Sequence, residues 1–152
     1  MAVSLLLSHS IDAEEWTLPV LLGSTLARLA VDTGSSDIWV KGSKFPAAKS
    51  KDIGETFFIQ YDSGGVMGRM VSDTLKLPSK LTPFGRDEVV LDAFPFAVSK
   101  DDWSGHDDSN GTSTIFSSLH SDGVLGLGLA ELSTRAKHPK SFVGRLMASN
   151  GS

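Results

Sequence analysis

The sequence has no cysteine, which excludes a disulfide framework and any thiolate metal centre and leaves the redox compartment unread. Its four histidines, His9, His106, His120 and His138, are scattered without the spacing that gathers ligands on one ion, so no metal and no other cofactor is expected. Basic residues are in the minority: 14 Lys and Arg stand against 18 Asp and Glu, a net charge of −4. Neither nucleic acid nor an anionic membrane is expected as a partner of such a surface. Long apolar runs are missing too. The stretch from Met1 to Leu7 lacks a basic flank and is too short for a secretory signal or a membrane span, so no export address is expected in this chain.

What is present suits a globular β protein. Of 152 residues, 40% are apolar and 21% charged, enough to bury an ordinary core in one domain over 1–152, with 1–14 expected as a flexible lead. Fifteen glycines punctuate many short runs of Val, Ile, Leu, Thr and Phe, and helical spacing is confined to short stretches. The expected class is therefore all-β with one or two short helices. From Trp16 to Asp32 the pattern reads as strand, Gly23-Ser24 turn, strand, with Leu26, Leu29 and Val31 on apolar faces and Trp16 in the core. Residues 41–54 are charged and carry two glycines and a proline, so they read as a solvated loop or short helical turn. Thr56 to Tyr61 and Arg69 to Leu77 read as two strands around a glycine-rich tip. A further strand is expected over Val89–Val98, with Pro95 marking an edge or bulge. Residues 99–114 read as an acidic surface loop, in which His106-Asp107-Asp108 is solvated charge rather than an ion site. Ser141 to Met147, after Pro139, reads as a short helix.

One stretch carries chemistry. Asp32-Thr33-Gly34-Ser35-Ser36-Asp37-Ile38-Trp39-Val40 sets a carboxylate on a glycine turn between two runs of strand formers. Backbone N–H groups and hydroxyls on such a turn hold a carboxylate in one orientation and one protonation regime, as general acid–base chemistry requires. A β-turn with an Asx hydrogen bond accounts for Asp-Thr-Gly alone. The longer string resembles the active-site loop of pepsin-like aspartic proteases, most closely their fungal, penicillopepsin-type members. Tyr61, Gly64 and Gly68, followed by Asp73-Thr74, fall where that family has its substrate-covering flap, although the family usually has glycine directly after the tyrosine and Asp62 stands there in this chain. The alternating glycines and aliphatics of 122–128 (Asp-Gly-Val-Leu-Gly-Leu-Gly) are similar to the segment that threads beside the Asp-Thr-Gly loop in the family. Asp62-Ser63-Gly64 spells the variant active-site triplet of the family's second half. It follows the flap tyrosine directly and lacks flanking apolar strands, so it reads as part of the flap.

The resemblance, which covers roughly Trp16 to Leu146, implies an incomplete amino-terminal lobe of the pepsin-like fold and a peptide or protein substrate. It implies Asp32 as one member of a catalytic dyad, Gly34 fixing its carboxylate, Ser35 bonding its outer oxygen and Thr33 bracing the loop. Trp39 is implied as the indole that meets the Tyr61 hydroxyl. Tyr61, Asp62, Ser63 and Gly64 are implied as flap residues that hold substrate, with Ile115 and Val124 joining Tyr61 in an apolar pocket. A secreted or vacuolar location is implied in the same way. In that setting, Asn110-Gly-Thr and Asn150-Gly-Ser become glycosylation acceptors. Aspartic proteolysis needs two carboxylates, and no second Asp-Thr/Ser-Gly in a suitable setting follows. Three readings result: half of an acid endopeptidase, inactive without its second lobe; a one-lobe enzyme in which two copies pair their Asp32; and a non-catalytic module that grips peptides.

Overall fold

The computed structural model describes residues 7–10, 14–46, 49–61, 64–77, 89–104, 114–133 and 141–149. Within them the chain is all-β. The strands are β1 (Ser8–Ser10), β2 (Glu15–Leu22), β3 (Thr25–Asp32), β4 (Ile38–Lys41), β5 (Lys51–Tyr61), β6 (Gly64–Leu77), β7 (Val89–Ser104) and β8 (Gly123–Gly126). Two short helices, α1 (Ile115–Ser118) and α2 (Phe142–Ser149), and a 3-10 turn at Ala130–Leu132 accompany them. The strands order as β1-β2-β3-β8-β4-β7-β6-β5, and a further β2–β6 pairing closes six of them into a barrel.

Period-two burial explains the first hairpin. Leu18, Val20 and Leu22 of β2 and Ala27 and Leu29 of β3 point into the barrel and are all but inaccessible. Leu26 has the opposite parity to Leu29 and is exposed, which corrects the expectation that both lie on a buried face. Trp16 is also exposed rather than in the core, because it sits beyond the barrel end, where its ring leans on His9 across the β1–β2 pair. That pairing places a strand inside the stretch read as a flexible lead.

The middle of the chain is more regular than its composition suggests. β5 starts at Lys51, inside the expected loop, and a register shift between Asp52 and Thr56 absorbs Gly54 at φ +78°. The glycines of 64–68 belong to β6 and not to a broad tip; only 62 and 63 separate the two strands, and these two lie outside the described residues. Gly68 is ladder backbone because the Val98 carbonyl of β7 passes where a Cβ would stand. β7 likewise runs on to Ser104, through the first part of the expected acidic loop. Pro95, expected to mark an edge or bulge, instead stands in register opposite Ser72 in a strand flanked by β4 and β6, and the register shift opposite Asp73–Leu75 falls just before it.

Two apolar clusters back this sheet. The barrel interior holds Leu18, Leu29, Val40, Leu75, Phe96 and Leu125 among others, with Phe142 of α2 plugging one end. The outer cluster gathers Trp39, Phe57, Ile59, Met70, Ile115 and Val124 beneath α1. Successive β8 residues serve opposite clusters, Val124 the outer and Leu125 the inner, so all four of its residues are buried. Each large side chain so buried contributes roughly 1.5–3 kcal/mol. Lys41 fastens α1 to the sheet by donating from Nζ to the carbonyls of Phe116 and Leu119 at the helix end.

Candidate functional site

β3 and β4 are consecutive in sequence but do not pair. β8, from 91 residues beyond Asp32 at its first residue, lies between them, parallel to β3 (Asp32 opposite Gly126) and antiparallel to β4 (Trp39 opposite Val124). Residues 33–37 must therefore bridge the end of β8, and this raises the Asp32 side chain at the rim of the sheet. The bridge is pinned from below. Leu127 N–H donates to the Asp32 carbonyl at 2.7 Å, Gly128 N–H to the Ser35 carbonyl at 2.7 Å, and Gly126 N–H to the Asp37 carbonyl at 3.0 Å. The Ser36 hydroxyl donates to the Leu129 carbonyl. The glycines of β8 make this approach possible: a Cβ on Gly123 would strike the Trp39 carbonyl, and one on Gly126 would meet the backbone of Ser36 and Asp37.

On this floor the half-buried Asp32 carboxylate accepts the Gly34 N–H on Oδ1 at 2.8 Å, the fixing role expected of Gly34. Across from it, Trp39 is wholly buried and its indole Nε1–H donates to the Tyr61 hydroxyl oxygen at 2.8 Å. The end of the β5–β6 hairpin is thereby tied to β4. Burial pushes the Tyr61 hydroxyl up to about 12. The indole hydrogen bond opposes that rise, the Asp32 carboxylate adds to it, the nearby Ser35 hydroxyl opposes it, and Asp37 adds again. Tyr61 is consequently a neutral O–H donor at every acid or neutral pH.

Ser35 departs from expectation. Its hydroxyl makes no hydrogen bond to Asp32; the Oγ is buried, and although it weighs on Tyr61 it meets hydrogen-bond geometry with no partner among the described residues. The hydroxyl is an open hydrogen-bonding position near the Tyr61 oxygen. Thr33 is exposed at the crest of the bridge. Gly64 sits at the start of β6, opposite Tyr61. Ile115 and Val124 do join Tyr61 in one cluster, but they are only 6% and 7% exposed and leave little surface for a substrate side chain. Asp62, Ser63, Asn110 and Asn150 lie outside the described residues.

Asp37 was not singled out from sequence. It is buried below the bridge, where its Oδ1 accepts from the Ser133 hydroxyl at 2.7 Å. A second carboxylate five residues after Asp32 is the signal the sequence holds for it. The structure also draws together two histidines that are far apart in sequence: His9 and His120 line a cavity of about 410 Å3 with Glu15 and Arg28. Glu15 there accepts the His120 and Ser121 N–H groups at 2.8 and 3.0 Å and anchors the approach to β8. Among the described residues no group of three or more His, Asp or Glu could hold a metal ion, and no helix is long and apolar enough to cross a membrane. No family model matches the chain, and no curated protein matches it.

Proposed function

We propose that this chain supplies one carboxylate half of an aspartic-type peptide hydrolase site, with Asp32 as the acid–base residue and the Tyr61 end of the β5–β6 hairpin covering the bound peptide. The observation that carries the reading is the joint geometry of the two: Asp32 raised on a bridge over β8 and bonded by Gly34 N–H, and Tyr61 tied to Trp39 by its indole and near enough to feel the Asp32 charge. Its resemblance in sequence to the pepsin-like loop, flap and glycine segment supports the same reading.

Aspartic-type hydrolysis of a peptide uses one ionised carboxylate to take the water proton and one protonated carboxylate to polarise the scissile carbonyl. Two carboxyl groups that share a site divide these roles, because both cannot ionise at once. Asp37 cannot be the second group: it is buried under the bridge and engaged by Ser133. In this reading the partner carboxylate is that of a second lobe or of a second copy of the chain. The neutral Tyr61 hydroxyl, its oxygen already accepting from Trp39, keeps its proton for a peptide carbonyl. A hairpin that closes over the peptide excludes water from the reacting groups.

A cleavage assay at acid pH with an internally quenched peptide, run over a concentration series, tests this. Cleavage per chain that rises with concentration and falls by about 10²–10⁴-fold in Asp32→Asn supports the reading. Cleavage that is independent of concentration and unchanged in Asp32→Asn contradicts it.

A further inference from the structure

A groove of about 760 Å3 opens between the turn after β4, the β6–β7 ladder and α1, and its lining includes no residue of the Asp32 bridge. Its walls are mainly apolar, formed by Met67, Val98 and Phe116 with the bare backbone of Gly42 and Gly68. Those two glycines leave a smooth wall for a structural reason, since a Cβ on either would collide with a β7 carbonyl, that of Ser99 or of Val98. Two cations, Arg69 and Lys100, also line the groove, and no carboxylate does so among the described residues. Arg69 meets Asp52 at 3.3 Å, but both side chains are half exposed, and such a pair in water is weak enough to yield to a ligand.

The apolar surface continues out of the groove. Met67 is 44% exposed, and Phe58, directly opposite it on β5, is 56% exposed. The two lie side by side across the β5–β6 ladder and extend the apolar wall at the mouth of the groove. The volume falls within the range of about 300–1,000 Å3 typical of small-molecule sites. Apolar walls alone fit any hydrocarbon, and cations alone fit any anion. The two together select an amphipathic anion.

We propose that this groove binds an alkyl carboxylate, with the hydrocarbon chain along Phe116, Val98 and Met67 and the carboxylate at Arg69 and Lys100. The site is separate from the Asp32 loop, and the inference does not depend on peptide hydrolysis.

The test titrates the isotope-labelled full chain with dodecanoate below its micelle concentration, and in parallel with dodecyltrimethylammonium and with acetate, following amide shifts. The expected result is saturable binding of dodecanoate with shifts centred on Gly42, Gly68, Val98 and Lys100, and affinity about tenfold or more above that of the cation, with no saturation by acetate. Lys100→Glu and Met67→Glu, both at exposed positions, should each weaken dodecanoate by about tenfold. Absence of dodecanoate binding, equal affinity for the alkyl cation, shifts centred elsewhere, or full affinity in both variants overturns the proposal. Should a variant disturb the fold, the comparison of the two headgroups on the unaltered chain decides alone.

Discussion

The Trp39 indole donates a 2.8 Å hydrogen bond to the Tyr61 hydroxyl, and this one contact couples the strand leaving the Asp32 bridge to the end of the β5–β6 hairpin. It also makes the region spectroscopically accessible, because Tyr61 is the only tyrosine in the chain.

Absorbance titration of that tyrosine should show a single transition near pH 12 instead of 10. The Trp39 hydrogen bond holds the value down, so Trp39→Phe should move the transition higher still. A folded-state value above the unfolded one means the folded chain keeps its proton longer. The resulting stability is fully present below pH 10 and is lost as pH rises from about 10 through 12, by about 2–3 kcal/mol. Tyr61→Phe should remove that part of the alkaline loss, as read from urea midpoints at stepped pH.

Gly123 is expected to be intolerant of any side chain. A Cβ there meets the Trp39 carbonyl and the Val40 backbone, which cannot yield without parting β8 from β4. Gly123→Ala should cost about 1–3 kcal/mol or more in urea unfolding. Gly54→Ala is the control: nothing lies within 4 Å of its Cβ and only the φ of +78° is strained, so the loss should stay near 1 kcal/mol.

Removal of the Ser35 hydroxyl should be nearly free. A buried hydroxyl with no partner contributes desolvation cost and no hydrogen bond, so Ser35→Ala should leave stability within about 0.5 kcal/mol or raise it. A clear loss in thermal unfolding would show that the hydroxyl is bonded in solution.

Much of this architecture is legible in the residues because local patterns and tertiary demands agree. The Gly23-Ser24 turn, at φ +56° for Gly23, and the alternation through Leu18, Val20 and Leu22 specify the first hairpin unaided. The spaced glycines of 123–128 announce a close backbone passage, and β8 makes it. Misreadings arise where a residue's environment is set by distant chain. Trp16 has the composition of a core residue, but the barrel ends before it. Gly64 to Gly68 look like a flexible tip, yet they are ladder residues because β7, entering from 25 residues beyond Gly64, pairs along them and passes its Val98 carbonyl where a Cβ on Gly68 would stand. The Ser35 hydroxyl illustrates the same limit at the site itself. A loop motif fixes which atoms are near a carboxylate, whereas the bonds they make depend on how the loop is seated over β8, and there the Ser35 hydroxyl has no partner among the described residues.

The most direct test of the Asp32 assignment is binding of a statine-type peptide, whose hydroxyl mimics the tetrahedral intermediate, followed by amide shifts on the full chain. Shifts centred on residues 32–39 and on Tyr61 are expected, with an affinity that falls by about tenfold or more in Asp32→Asn while the unfolding midpoint stays unchanged. Binding that ignores Asp32→Asn, or shifts that miss both the bridge and the hairpin end, would contradict it.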